Sequence, residues 1–83
     1  MKDENKLITV YSTTWCGDCI QAKNFLGEQR IAYKNIDIEE HPEFVAVVEA
    51  LNDGKRIVPT IVFPDGSILV EPSIAQLAEK LGL

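Results

Sequence analysis

Two cysteines, Cys16 and Cys19, enclose Gly17 and Asp18, and the chain has 2 Cys in all. At positions i and i+3 of one helical turn, their Cα atoms would lie ~5 Å apart, within the range that a disulfide tolerates. If a helix begins at Cys16, its unpaired backbone N–H groups and its dipole stabilise the thiolate of that residue, which is the nucleophilic form. The spacing therefore predicts a disulfide that opens and closes, in which Cys16 attacks and Cys19 resolves.

The same pair allows two other interpretations. A structural disulfide closing so short a loop would stabilise the fold by roughly 2 kcal/mol, and it would not persist in a reducing cytosol. A zinc site needs four ligands. Beyond the cysteines the chain offers His41 and carboxylates, unless a metal bridges two chains. We therefore favour redox chemistry and expect no bound metal.

The length and charge of the chain restrict what else it can do. Its 83 residues predict a single domain over 1–83, and 46% apolar with 25% charged residues is typical of a soluble globule. A net charge of -5, with scattered basic residues, disfavours nucleic acid and anionic membranes as partners. Met1–Lys6 is polar, and the apolar run that follows is too short for a signal peptide or a bilayer span. We expect a cytoplasmic monomer.

The first half of the chain predicts a strand, a helix and a strand, which would place the cysteines between the first two elements. Lys6–Ser12 is β-branched and aromatic, as in a strand covered on both faces. Gly17–Gln29 has helical periodicity, and Tyr33–Ile38 alternates as a second strand. Such a βαβ unit makes the strands parallel. The charged run Asp37–Glu43 that follows is interpreted as the rim of a loop.

The second half predicts a helix, a β-hairpin and a last helix. The first of these helices starts at Pro42 and ends at Asn52-Asp53-Gly54, and its inner face carries Phe44, Val47, Val48 and Leu51. The hairpin pairs Ile61–Phe63 with Ile68–Val70 around the turn Pro64-Asp65-Gly66-Ser67. The last helix has a capping box of Ser73 and Gln76, and its inner face carries Ile74, Leu77, Ala78 and Leu81. The order is β-α-β-α-β-β-α, an α/β fold with a four-stranded mixed sheet flanked by three helices.

A second motif, Val58-Pro59-Thr60, precedes the predicted third strand. Proline cannot donate to a sheet ladder, so Pro59 can be a plain first residue of a strand. It can also be a cis proline beside the cysteines, where the backbone around it would pair with an extended thiol substrate. The motif does not by itself decide between these interpretations.

Thr14-Trp15-Cys16-Gly17-Asp18-Cys19, Val58-Pro59-Thr60 and the element order together resemble a glutaredoxin of the thioredoxin-fold superfamily over essentially the whole chain. The resemblance implies that Pro59 is cis, that Cys16 attacks, and that a low-molecular-weight thiol binds along Val58, Pro59 and Thr60. Val58 would be the residue whose backbone pairs with that thiol. Arg56 matches a basic residue that binds the thiol's carboxylate, and the alternative is a solvated loop charge beside Lys55.

The chain departs from the usual glutaredoxin pattern in three places. Gly17-Asp18 replaces Pro-Tyr, no cation precedes Cys16, and Glu71-Pro72-Ser73 replaces a Gly-Gly and acidic motif that grips glutathione. The negative charge of Asp18 should make a thiolate at Cys16 less stable. The chain is most similar to the mycoredoxin-like branch, which acts on mixed disulfides with mycothiol, and Ser73 is the candidate substrate-binding residue in the altered region.

Trp15 lies next to the nucleophile and also has two interpretations. It can pack at the edge of the sheet, or its exposed ring can shield the thiolate and stack on a substrate. We favour the second. The predicted function is thus reduction of mixed disulfides between proteins and a small thiol of the glutathione or mycothiol type, used as co-substrate with no bound cofactor.

Two other functions stay open. One is a thioredoxin-like protein disulfide reductase that supplies electrons to ribonucleotide reductase or peroxiredoxin. The other is an iron–sulfur carrier in which Cys16 of two chains and two small thiols hold a cluster. Cys19 opposes the carrier, because a second cysteine can trap Cys16 as a disulfide.

Overall fold

The computed structural model describes residues 7–83, so Lys6 of the predicted first strand lies outside the described residues. Four strands and three α-helices follow the predicted order. They are β1 (Ile8–Ser12), α1 (Gly17–Glu28), β2 (Tyr33–Asp37), a 3-10 turn (Pro42–Phe44), α2 (Val45–Leu51), β3 (Thr60–Val62), β4 (Ile68–Val70) and α3 (Ile74–Lys80).

The four strands form one mixed sheet in the order β2-β1-β3-β4. β1 runs parallel to β2, with Ser12 opposite Asp37, and antiparallel to β3, with Tyr11 opposite Thr60. The carboxyl ends of β1 and β2 and the amino end of β3 therefore meet at one edge of the sheet. The cysteine loop, the loop after β2 and the Val58-Pro59-Thr60 segment all come to that edge, which confirms the predicted role of the βαβ unit.

Helices cover both faces of the sheet, as predicted for a buried first strand. On one face, α1 and α3 enclose a core of Ile8, Val10, Ala22, Leu26, Ile61, Phe63 and Leu77. On the other face, Val48 of α2 packs against Tyr11, Ile36 and Ile38 of the first two strands and their ends. Burying these side chains supplies the main favourable free energy of folding. No helix within residues 7–83 has the length and apolar character to cross a bilayer.

The inner face of α2 differs from the prediction. The segment begins as a 3-10 turn, which has about 3.0 residues per turn instead of 3.6 and so shifts the inward stripe. Val45 and Val48 pack into the core, whereas Val47, predicted to be inside, is exposed. The helical segment thus begins at Pro42, and Phe44, Val48 and Leu51 pack inside, as predicted. The prediction was wrong for the type of its first turn and for Val47.

The hairpin and the last helix follow their local signals. Gly66 has a φ of 89° in the turn between β3 and β4, a conformation that glycine adopts freely. Ser73 caps α3, and its capping box with Gln76 is complete. Two details differ from the prediction. β3 begins one residue earlier, at Thr60, and Ile74, predicted on the inner face, is exposed at the start of α3.

Candidate active site

Cys16 is the N-cap residue of α1, as the sequence predicts. Its Sγ accepts a hydrogen bond from the backbone N–H of Cys19 at 3.1 Å. A sulfur that caps a helix meets donors that stabilise an anion, which is the requirement for a nucleophilic thiolate. Cys16 is mostly buried, yet it forms part of the wall of a surface cavity, so a substrate can reach it.

Cys19 lies one helical turn further on, in a different environment. Its side chain is fully buried, and both cysteines are free thiols. Burial, followed by its hydrogen bond with Cys16, raises the pKa of the Cys19 thiol to about 12. Cys19 is therefore protonated at neutral pH, and no substrate can approach it from solvent.

The Val58-Pro59-Thr60 segment packs against Cys16. The Val58–Pro59 peptide bond is cis, as the resemblance implied, and the Val58 carbonyl oxygen lies 3.9 Å from Cys16 Sγ. Thr60 is fully buried, and its hydroxyl donates to the Ile57 carbonyl at 2.7 Å. It also accepts a hydrogen bond from the Asn52 side-chain amide at 3.1 Å. These bonds anchor the segment to the end of α2.

A cavity of about 480 Å³ opens beside Cys16. Its walls come from the cysteine loop, the segment before Pro59 and the residue after β4. They consist of Trp15, Cys16, Gly17, Asp18, Arg56, Ile57, Val58 and Glu71. Of the predicted site residues, Trp15, Cys16, Arg56 and Val58 thus line one cavity.

Four predicted site residues lie outside the cavity wall. Cys19 is behind Cys16, and Pro59 and Thr60 are buried beneath the segment that carries Val58. Ser73 caps α3, where its hydroxyl accepts the Gln76 N–H at 3.1 Å. A substrate-binding role for Pro59, Thr60 and Ser73 stays a prediction, and their positions fit support of the backbone.

Glu39 is the residue that the sequence interpretation missed. It follows β2, and its Oε2 accepts a hydrogen bond from Trp15 Nε1 at 2.8 Å. The same oxygen lies 3.6 Å from Arg56 Nη2, which makes an ion pair. Because β1 and β2 are parallel, the residues that follow them lie at the same edge of the sheet. The predicted parallel pairing could therefore have indicated that the charged loop after β2 begins near Trp15 and contributes to the site.

Glu71, which also lines the cavity, has an unusual backbone conformation. Its φ is 49°, in the left-handed region that favours glycine, and its N–H donates to the Pro59 carbonyl at 2.9 Å. In this region Glu71-Pro72-Ser73 replaces the usual Gly-Gly and acidic motif. The structure keeps a left-handed backbone there, and Glu71 lines the cavity.

The zinc interpretation finds no preformed set of ligands. Within residues 7–83, no three side chains of His, Cys, Asp or Glu are grouped so as to hold a metal ion. His41 lies 3.7 Å from Glu43, away from the cysteines in the 3-10 turn region. The cysteine pair can perform thiol-disulfide exchange without further ligands.

The family model described as Glutaredoxin matches residues 8–68. This chain belongs to the glutaredoxin family. A glutaredoxin of this kind is a thiol-disulfide oxidoreductase, and the family uses a low-molecular-weight thiol as co-substrate. The cavity beside Cys16 is therefore the candidate active site of this glutaredoxin.

Similar proteins include three bacterial relatives. A Mycobacterium tuberculosis protein whose name assigns it to the glutaredoxins is 43% identical over 89% of this chain and 88% of its own length. Mycoredoxin 1 of Corynebacterium glutamicum is 35% identical over 89% of this chain and 91% of its own length. The glutaredoxin-like protein NrdH of Lactococcus lactis is 41% identical over 71% of this chain and 79% of its own.

The solved structures confirm the thioredoxin-like fold of this glutaredoxin. The crystal structure of a mutant thioredoxin-like protein superimposes with a TM-score of 0.80 at 27% identity, covering 93% of this chain and 96% of that one. The β-α-β-α-β-β-α order and the mixed sheet predicted from the sequence are thus confirmed.

Proposed function

We propose that this glutaredoxin reduces mixed disulfides between proteins and a small thiol of the glutathione or mycothiol type, with Cys16 as the nucleophile. The observation that carries the proposal is the Cys16 sulfur itself. It caps α1, accepts the Cys19 N–H at 3.1 Å and forms part of an open cavity. The similarity to mycoredoxin 1 supports the same conclusion.

The reaction needs two exchanges. The Cys16 thiolate attacks the small-thiol sulfur of the mixed disulfide, the substrate protein leaves as a thiolate, and Cys16 becomes disulfide-bonded to the small thiol. A second small thiol then attacks that small-thiol sulfur. This step releases a symmetrical small-thiol disulfide and restores Cys16. One free small thiol is consumed, the substrate protein leaves as a reduced thiol, and the disulfide is transferred to the pair of small thiols.

The cavity offers distinct contacts to the two ends of a small thiol. We propose that the backbone of Val58, whose carbonyl is 3.9 Å from Cys16, pairs with the thiol. The exposed ring of Trp15 would stack on it. Arg56 would approach a carboxylate if the substrate carries one, since among the residues described it is the one cation in the wall.

The charge of the chain bears on its partners. A net charge of -5 disfavours nucleic acid and anionic membranes as partners. We propose a monomer that works in the cytoplasm without a bound cofactor, where reduced small thiols are abundant.

The test compares small thiols in parallel. A single-cysteine protein carrying a mixed disulfide with glutathione, mycothiol or bacillithiol is incubated with the enzyme and the matching thiol, and release is followed by mass spectrometry. We expect turnover with at least one thiol, and less than about 1% of it for Cys16→Ser, because loss of a nucleophile costs orders of magnitude. Turnover by Cys16→Ser would contradict the assignment.

A protein disulfide reductase, serving ribonucleotide reductase or a peroxiredoxin, is the second candidate. The fully buried Cys19 directly behind Cys16 favours it, because it can release a bound protein by intramolecular attack. The 41% identity to the glutaredoxin-like protein NrdH supports it as well. Coupling to thioredoxin reductase, with insulin as substrate, distinguishes the two functions.

A further inference from the structure

Glu39 connects two walls of the active-site cavity. Its Oε2 accepts the Trp15 Nε1–H at 2.8 Å and lies 3.6 Å from Arg56 Nη2. Trp15 comes from the cysteine loop and Arg56 from the segment before Pro59, and both line the cavity. One carboxylate oxygen therefore contacts both the exposed ring and the guanidinium that line the cavity with Cys16.

The backbone at Glu39 is held in place by β2. Asp37 is buried at the end of that strand, and its Oδ1 accepts the N–H groups of Glu39 at 2.8 Å and Glu40 at 3.2 Å. The N–H of Ile38 donates to the Ser12 carbonyl at 3.0 Å, which continues the sheet pairing. These hydrogen bonds fix the backbone of Glu39 beside the cysteine loop.

The charges around the cavity are unfavourable for an anion. Asp18 and Glu71 lie in its wall, and Arg56 is the one cation there among the described residues. The guanidinium of Arg56 already has Glu39 as its partner. A substrate carboxylate must displace Glu39 before it can pair with Arg56, whereas a neutral substrate leaves the pair intact.

We propose that Glu39 is a specificity-determining residue that makes the cavity prefer a neutral small thiol to one that carries a carboxylate. The inference rests on the proposed function and names a substrate class for it. Glu39 and Arg56 are about half exposed, so their pair is weak enough for an anion to compete with it. The result is graded selection, not exclusion.

Two disulfides of the same shape isolate this effect. One is the symmetrical disulfide of 3-mercaptopropionate, and the other is that of 3-mercaptopropionamide, in which a neutral amide replaces the carboxylate. The Cys16 thiolate attacks either one and releases one small thiol, and Cys19 then attacks Cys16 and releases the second. The disulfide gains two electrons, and the protein is oxidised to a Cys16–Cys19 disulfide.

The experiment measures the rate constant for each disulfide with fully reduced protein. Reactions are quenched with acid, and the oxidised protein is quantified by mass spectrometry. Each rate constant is divided by that of dithiothreitol with the same disulfide, which removes the intrinsic difference between the two probes. The readout is the ratio of the carboxylate to the amide rate constant.

Glu39→Gln is compared with the control Glu40→Gln, which removes the same charge from the neighbouring exposed residue. The glutamine amide can still accept the Trp15 N–H, so only the charge and the ion pair are lost. We expect Glu39→Gln to raise the ratio about fivefold at low salt, which corresponds to about 1 kcal/mol. Glu40→Gln should stay within about twofold of the wild-type ratio, and high salt should shrink the Glu39 effect.

Three outcomes overturn the inference in distinguishable ways. If Glu39→Gln shifts the ratio no more than Glu40→Gln does, Glu39 does not select. If Glu39→Gln shifts the ratio equally in an Arg56→Ala background, displacement from Arg56 is the wrong mechanism. If the wild-type protein reacts with neither disulfide, the proposed function fails together with the inference.

Discussion

Replacing Cys19 with serine separates the two candidate functions. Reduction of a mixed disulfide with a small thiol needs only Cys16 and a second free thiol. Reduction of a disulfide within a protein leaves the substrate bound to Cys16, and efficient release then needs Cys19. The fully buried position of Cys19, with its N–H 3.1 Å from Cys16 Sγ, favours that intramolecular attack.

The size of the loss can be worked out from the state of the Cys19 thiol. In the reduced protein, burial and then the hydrogen bond with Cys16 raise its pKa to about 12, so roughly one molecule in 10⁵ carries the thiolate at pH 7. This fraction is a lower limit for the intermediate bound to substrate, in which Cys16 no longer raises the pKa of Cys19. An effective molarity of ~10⁵ M for an oriented nucleophile then gives a thiolate concentration of about 1 M. An external thiol at about 1 mM, with an ordinary pKa, supplies on the order of 10⁻⁵ M thiolate.

This comparison predicts at least a hundredfold loss of insulin reduction in Cys19→Ser. Activity on a mixed disulfide with a small thiol should stay within about threefold of wild type, because no step there requires Cys19. Both activities are measured on the same preparation, with thiol alkylation to verify that Cys16 is intact. A variant that is inactive on mixed disulfides with every small thiol supplied would refute the glutaredoxin-like mechanism and favour the reductase.

Three further predictions concern the walls and supports of the site. Arg56→Ala should raise the KM for a mixed disulfide with glutathione while leaving alkylation of Cys16 nearly unchanged, and an unchanged KM would contradict a contact between Arg56 and the substrate. Thr60→Val should lower the free energy of unfolding by roughly 2 kcal/mol, measured by urea denaturation, because it removes the buried hydrogen bonds with Ile57 and Asn52. Because the folded state holds the Cys19 proton more tightly than the unfolded chain, stability should fall as pH rises from 9 towards 12. The difference in unfolding free energy between reduced wild type and Cys19→Ser should therefore change in favour of the variant over that range, and a constant difference would contradict it.

Much of the fold could be predicted because its signals are local. The capping box of Ser73 and Gln76 and the hairpin turn at Gly66 each depend on a few neighbouring residues, and both were found where predicted. The prediction of the inner face of α2 was wrong at Val47, also for a local reason. The proline at Pro42 predicted a helix start, but no sequence pattern indicated a 3-10 turn that would move Val47 to the surface.

The candidate site was predictable where a motif encodes it and unpredictable where three segments meet. Cys16 and Val58 belong to motifs, and the structure brings them within 3.9 Å. Glu39 belongs to a charged run whose ordinary interpretation is a solvated loop. Its contacts with Trp15 and Arg56 depend on the sheet order β2-β1-β3, which brings the ends of three distant segments together.

One helical turn gives the two cysteines opposite environments, and in the proposed mechanism that difference sets the order of events. Cys16 contacts the cavity and a helix N–H donor, so it meets the substrate first. Cys19 is held protonated by burial and by its hydrogen bond and charge interaction with Cys16, each of which raises its pKa. When Cys16 becomes part of a mixed disulfide, its sulfur can carry no negative charge and no thiol proton, so both of its contributions to the pKa of Cys19 are lost. The pKa of Cys19 then falls, and its thiolate becomes more abundant when there is a disulfide for it to attack.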